Sequence, residues 1–174
     1  MDLQPVRRWY AATAFRSSLE ADWACSLDYL GIAWEYEPEA FLLSSGDGYV
    51  PDFWLPEIGT HIEVKGEGIP GKWKAYDLAR MTACECDGQC KCKWPGGQIV
   101  LIGLAHDWLK LNWWDPLNRN TPLTQCRRCS AWFWLRLRDS LACRKCGARI
   151  TGHLYAPGEK EVHLADHHPW TRVR

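Results

Sequence analysis

The order of patterns along this chain predicts an α/β domain with a mixed sheet, followed by a small cysteine-bound module. Apolar residues first recur at helical spacing (Phe15, Leu19, Trp23, Leu27, Leu30). Short alternating runs follow, and after a second helical segment comes the nearly continuous apolar run Gln98 to Leu104, as expected of a strand buried on both faces. Past Leu123 the composition changes to paired cysteines set among arginines.

Each element has a local cause. Ser17-Ser18-Leu19-Glu20 reads as a capping box that starts a helix running to Leu30, and Gly31 stops it. Trp34 to Glu37, Ala40 to Leu43 and Tyr49 to Leu55 read as strands, with Ser44 to Gly48 as a turn between the last two. His61 to Lys65 is a strand with Ile62 and Val64 on one face and His61, Glu63 and Lys65 on the other. After the break at Gly66, Gly68 and Gly71, Lys72 to Ala83 has a helical composition, with Trp73, Tyr76, Leu78 and Ala79 as candidate buried positions.

With 174 residues, 47% of them hydrophobic, the chain can bury one compact core plus a small appendage, and this is expected rather than two full-sized domains. No apolar run approaches the roughly 18 residues of a membrane helix, and Asp2 and Gln4 ahead of Arg7 and Arg8 lack a signal-peptide core. A soluble, cytoplasmic protein with no membrane partner is expected. Net charge is zero, which argues against a simple polybasic binder, but the charge is unevenly spread. Residues 1–118 hold 10 Lys and Arg against 17 Asp and Glu, whereas residues 119–149 hold 8 against 1. The acidic part suits cations and the basic part suits phosphates.

Asp52 and Glu63 fall on adjacent expected strands, and Lys65 follows on the face of Glu63. Phosphodiester cleavage uses such groups: carboxylate oxygens hold Mg²⁺, and a lysine orients or deprotonates the attacking water. Taken singly, these residues fit a turn and a solvated strand face equally well. The combination is more specific. Phe15-Arg16-Ser17-Ser18-Leu19-Glu20, Tyr49-Val50-Pro51-Asp52-Phe53 and Ile62-Glu63-Val64-Lys65-Gly66 occur in an order and spacing that resemble the PD-(D/E)XK nuclease superfamily. Within it they look most like phage proteins of the endonuclease I or Holliday-junction-resolvase type and transposon-encoded endonuclease subunits.

The resemblance spans about residues 13–104 and implies a restriction-endonuclease-like core. It implies Mg²⁺ or Mn²⁺ held by Asp52, Glu63, the Val64 carbonyl and Glu20, with Lys65 as the catalytic lysine. Glu20 is also explained by capping alone. Arg16, Ser17, Lys72 and Lys74 are candidate DNA contacts, against the simpler reading of Ser17 as a helix cap and the lysines as a solvated face. If the chain is phage-encoded, its compartment is the host cytoplasm. A homodimer is implied because resolving a junction takes two active sites.

Nine cysteines would suggest disulfides in a short secreted chain, but eight fall into two tight groups, which favours metal. Cys126-x2-Cys129 and Cys143-x2-Cys146 resemble a zinc ribbon, with both pairs closing one structural site. Arg127, Arg128, Arg136, Arg138, Arg144 and Lys145 surround it and are candidate phosphate contacts. Trp132 and Trp134 either stack on unpaired bases or fill a miniature core. Cys84, Cys86, Cys90 and Cys92 form a denser cluster for which a second zinc is favoured over disulfides or a redox-sensitive loop. The domain plan is thus 1–118 with a cysteine-rich insertion at 84–92, the ribbon at 119–150, and a tail at 151–174 with no assigned role for its histidines. Cys25 reads as a small buried hydrophobe. His61 could support the active-site face.

The expected function is metal-dependent cleavage of DNA, with branched DNA the favoured substrate. The alternatives are a non-catalytic DNA-binding or assembly protein acting through the ribbon, a site-specific nickase, or an RNA nuclease.

Overall fold

A computed structural model of the protein describes residues 7–65, 71–82, 99–102, 123–134, 142–150 and 154–155. The Cys84–Cys92 cluster, Arg136, Arg138 and the C-terminal histidines lie outside the described residues.

Among the described residues the architecture is mixed α/β, with two helices, three small antiparallel sheets and one mixed four-stranded sheet. Helix α1 (Ser18–Tyr29) begins where the capping pattern places it, with Ser17 as N-cap in extended backbone and its side chain accepting from the Glu20 N–H. It ends on a Schellman arrangement: the Ile32 N–H donates to the Leu27 carbonyl and the Gly31 N–H to that of Asp28, with Gly31 at φ +67.

The central sheet has the order β3 (Glu35–Tyr36), β6 (Phe53–Leu55), β7 (Thr60–Val64), β8 (Ile99–Ile102). The first three strands are antiparallel, and β8 lies parallel to β7. Helix α2 (Lys72–Met81) falls between those parallel strands in sequence, as a parallel connection requires. All five residues of β7 are buried. Ile62 and Val64 join a core with Phe15, Phe53, Leu55 and the α1 residues Trp23 and Leu27. A second cluster, Leu43, Tyr49, Ala75, Leu78, Ala79 and Ile99, brings α2 against the sheet. Among the described residues no helix is long and apolar enough to cross a membrane.

Three expectations need correction. The run Tyr49 to Leu55 is not one strand: β5 (Gly48–Tyr49) pairs with β4 (Phe41–Leu42), whereas β6 pairs with β3 and β7. Pro51, lacking an N–H, cannot continue a ladder, so the chain changes sheet there. Trp73 is not a core residue; it is 49% exposed.

The third correction concerns the core expected around Trp132 and Trp134: β9 (Leu123–Gln125), β10 (Trp132–Trp134) and, from the expected tail, β11 (Leu154–Tyr155) form a sheet of order β10-β9-β11. Leu123 and Trp134 belong to the same core as Phe15 and Phe53, with Trp132 packed against it. The fully buried Trp134 therefore fills a core rather than stacking on bases, while Cys126, Phe133 and Cys143 form a small cluster of their own.

A hairpin that the sequence does not announce precedes α1. Strands β1 (Arg8–Tyr10) and β2 (Thr13–Phe15) pair through the two-residue loop Ala11-Ala12, both at positive φ (48° and 62°). This type I′ geometry favours Asn-Gly, and alanine there is strained by roughly 1 kcal/mol per residue. The double substitution Ala11→Asn, Ala12→Gly is expected to stabilise the protein by about 1 kcal/mol, raising Tm by about 2–4 °C in a scanning melt. An unchanged or lower Tm would contradict this loop geometry.

Candidate active site

The register of β6 and β7 builds the site. Phe53 faces Ile62, so one residue earlier Asp52 falls beside Glu63, and the Asp52 carbonyl accepts the Glu37 N–H from the other side (2.9 Å). Both carboxylates are almost fully buried, with 2% and 3% of their side chains exposed.

Their oxygens are used in a matched way. Asp52 Oδ2 accepts the Val64 N–H at 2.7 Å, and Oδ1 faces Arg16 Nη2 at 2.7 Å. Glu63 Oε2 accepts the Tyr49 hydroxyl at 2.6 Å, and Oε1 faces Lys65 Nζ at 2.5 Å. Each carboxylate has one oxygen held by a neutral donor and the other by a cation. Buried charges require this kind of compensation.

The electrostatics are correspondingly tense. Burial, followed by the charges of Glu63 and Glu20, pushes the Asp52 carboxyl up to about 8, against the pull of the Val64 N–H and Lys65. Burial and then the Glu63 charge also drive the Tyr49 hydroxyl strongly upward, so it remains a donor. Burial alone would lower the Arg16 guanidinium, but Tyr36, Asp52 and Glu37 outweigh it and raise it, so it stays charged.

The Asp52 shift has a consequence for stability. Between about pH 4 and pH 8 the folded carboxyl holds a proton that the unfolded chain has released. Folding stability contributed by this group therefore falls as pH rises through that window. In buffer free of Mg²⁺ and Mn²⁺, wild type should lose about 1–2 kcal/mol relative to Asp52→Asn between pH 6.5 and 8.5, at most about 1.4 kcal/mol per unit. Parallel pH dependence in urea melts would argue against a raised Asp52.

Glu20, implied by the resemblance as a further ligand, is engaged elsewhere. Its Oε1 accepts Ser17 Oγ (2.7 Å), and its Oε2 accepts the Tyr36 hydroxyl (2.6 Å) and the Arg16 N–H (3.2 Å). Among the described residues, the group of three or more His, Cys, Asp or Glu side chains close enough together to hold a metal ion is a cysteine set. Glu20 thus takes part in the capping arrangement around Ser17 at the start of α1, and it acts on Asp52 through its charge.

Three participants had no signal in the sequence. Tyr36 and Tyr49 orient Glu20 and Glu63, and Glu37 pairs with Arg16 Nε at 2.9 Å. Glu37 sits at φ +47 directly before Pro38, a doubly disfavoured conformation for a non-glycine residue, held by its N–H on Asp52 and its carboxylate on Arg16.

His61, expected on the active-site face, packs as an aromatic, 4.5 Å from the Trp54 ring and 5.2 Å from that of Phe41. Burial lowers it to about 4, so it is neutral near pH 7. Lys74 Nζ donates to the Gly48 carbonyl (3.1 Å), and Lys72 opens α2.

The second candidate centre is the set Cys126, Cys129, Cys143 and Cys146, all free thiols. Cys126 and Cys146 Sγ are 3.7 Å apart, and Cys129 and Cys143 Sγ 3.6 Å. Four thiolates at about 2.3 Å from zinc define a tetrahedron with edges of about 3.8 Å, so the set is compatible with a structural zinc site and far too open for disulfides.

Two equivalent loops supply these thiols. The Ser130 N–H donates to the Cys126 carbonyl and the Gly147 N–H to that of Cys143, both at 2.8 Å. The corresponding residues Ser130 (φ +57) and Gly147 (φ +71) both take the left-handed conformation. Hydrogen bonds from the backbone at Cys129, outweighing burial, lower the Cys126 thiol to about 6, whereas at Cys129 the backbone bond at Ala131 is outweighed by burial and bonds to the other three thiols, which raise it to about 11. Arg127, Arg128, Arg144 and Lys145 are all exposed on these loops.

Comparison with protein-family models, with curated proteins and with solved structures finds no match to this chain.

Proposed function

We propose that the protein is a metal-dependent endonuclease that hydrolyses DNA phosphodiester bonds, with a PD-(D/E)XK-type core and a basic zinc ribbon. The observation that carries this reading is the buried pair Asp52 and Glu63, each with one oxygen pinned by a neutral donor and one facing a cation. A purely structural ion-pair network rarely needs two adjacent buried carboxylates, since apolar residues of similar volume are often as stable.

The donor set suits a hard ion. Mg²⁺ binds through one or two carboxylates and keeps several waters, and Asp52 and Glu63, with the Val64 carbonyl, would hold it. When bound, it would neutralise phosphate charge and acidify a coordinated water. The Val64 N–H and Tyr49 hydroxyl keep the carboxylates oriented. Lys65, next to Glu63, positions the attacking water and takes or offsets charge. Arg16, half exposed and already beside Asp52, is placed to turn toward phosphate. The four exposed cations of the cysteine loops would grip the backbone outside the site. Branched DNA is the substrate class that the resemblance implies.

The test is incubation with Mg²⁺ and a panel of four-way junction, flap, duplex and single-stranded DNA and of RNA, beside Asp52→Asn. Cleavage of DNA by wild type alone supports the proposal. Tight binding with no cleavage of any substrate would instead support a non-catalytic DNA-binding protein.

A further inference from the structure

Helix α2 and the turn between β4 and β5 enclose an open pocket of about 650 Å³ lined by Ser44, Ser45, Trp73, Tyr76, Asp77 and Arg80. Trp73, Asp77 and Arg80 recur at spacings of four and three, so they share one face of α2, while Ala75, Leu78 and Ala79 supply its core face. The indole of Trp73 is thus left half outside the core on a helix that has filled its apolar side with smaller residues.

The pocket is pre-formed. Asp77 Oδ1 accepts the Ser44 hydroxyl and Oδ2 the Ser45 N–H at 3.3 Å, which ties the turn to α2. Lys74 Nζ lies 5.5 Å from the centre of the Trp73 ring and donates to the Gly48 carbonyl, fixing the start of the helix against β5. Among the described residues Arg80 makes no ion pair within 4.0 Å.

Its position relates it to the carboxylates. Gly48 is bound by Lys74, the neighbour of the pocket residue Trp73, and the next residue, Tyr49, donates to Glu63. One strand therefore joins the two places, a single residue apart.

We infer that this pocket receives an unpaired nucleobase of a DNA strand whose backbone runs toward the Asp52–Glu63 pair. Trp73 supplies the stacking surface, and the turn that Asp77 and Asp47 hold through Ser44 and Ser45 forms the polar wall beside it. Arg80 and Lys74 meet the flanking phosphates. A half-exposed indole with Lys74 at its ring and Arg80 in the same pocket matches the chemistry of single-stranded nucleic acid, where a flat base and an anionic linkage alternate. A peptide would gain nothing from that alternation. The inference rests on the nuclease reading for its substrate and names the feature that substrate must carry.

The test uses two labelled DNA duplexes, one fully paired and one with a single unpaired adenine, titrated by anisotropy with Ca²⁺ replacing Mg²⁺. Wild type should bind the unpaired duplex roughly 10-fold more tightly, Trp73→Ala should lose that preference, and Trp73→Phe should keep most of it. Because Trp73 is half exposed, Trp73→Ala should retain its circular dichroism and zinc content. A photoreactive 5-iodouracil at the unpaired position should crosslink to Trp73 or Tyr76. Equal affinity of wild type for both duplexes, or a preference that survives in Trp73→Ala, overturns the pocket, as does a preference confined to RNA.

Cleavage of the fully paired duplex with Mg²⁺, compared with Asp52→Asn, is scored separately. Cleavage without the preference removes the pocket and leaves the nuclease. The preference without cleavage of any DNA does the reverse.

Discussion

Asp52→Asn is expected to lower Mg²⁺-dependent DNA cleavage by about 10³-fold or more, while the protein still folds. Asparagine can keep a carbonyl oxygen for the Val64 N–H, which now donates to Asp52 Oδ2, so the local backbone has little reason to move. It removes the group that, once ionised, would hold Mg²⁺, at the position that now faces Arg16. Several kcal/mol of charge stabilisation then disappear, and each 1.4 kcal/mol is a factor of ten in rate.

Companion variants separate the roles. Lys65→Ala should cost about 10²- to 10⁴-fold, as for loss of a general acid or base. Tyr49→Phe, which frees Glu63 Oε2, should cost about 10- to 100-fold, with weaker Mg²⁺ dependence as its mark, since it acts through an orienting bond. Glu20→Gln is the informative contrast. If Glu20 is the cap that its bonds to Ser17, Tyr36 and Arg16 describe, this variant loses about 1 kcal/mol of stability and little rate. A rate loss equal to that of Asp52→Asn would return Glu20 to the ligand set. Full activity in Asp52→Asn would remove the proposed site altogether.

Cys126→Ser, or stripping zinc from wild type with a chelator, is expected to disrupt much more than the ribbon. Structural zinc contributes about 10–16 kcal/mol in small zinc-dependent folds, comparable to the whole stability of about 5–15 kcal/mol of an ordinary domain. In a separate appendage that loss would stay local. Here Trp134 is fully buried and shares a core with Phe15, Leu27 and Phe53, and Leu123 joins it. Freeing β9 and β10 would open that core to water on one side. The expected signs are a red shift of tryptophan emission, a fall in Tm of more than about 10 °C, and weaker DNA binding. Metal analysis should find one zinc per chain for this set, and a second equivalent if Cys84, Cys86, Cys90 and Cys92 also bind. A zinc-free protein with an unchanged melt would rule out this centre.

Much of the local structure was legible. The start and stop of α1 follow from Ser17, Glu20 and Gly31 because capping is settled within a few residues. The core of β7 follows from its apolar content. The β1–β2 hairpin was not legible, because Ala11 and Ala12 occupy left-handed positions where a turn would normally announce itself with Asn or Gly. The break at Pro51 was visible as a residue but not as a change of sheet. That change depends on which strands Tyr49 and Phe53 find, a choice made by packing far along the chain.

The same division holds for chemistry. By itself the sequence determined the inventory: Asp52, Glu63 and Lys65 in a recognisable order, and four cysteines at a spacing that closes a tetrahedron. These are properties of residue type and short separation. Only the tertiary structure decided which groups meet. It set Arg16 and Val64 on Asp52, Tyr49 and Lys65 on Glu63, and kept Glu20 with Ser17 and Tyr36. It also placed Trp134 in the main core. The physical reason is strand register: a shift of one residue between β6 and β7 would turn Asp52 away from Glu63, and register is settled by the burial of Phe53, Ile62 and their partners across the whole core.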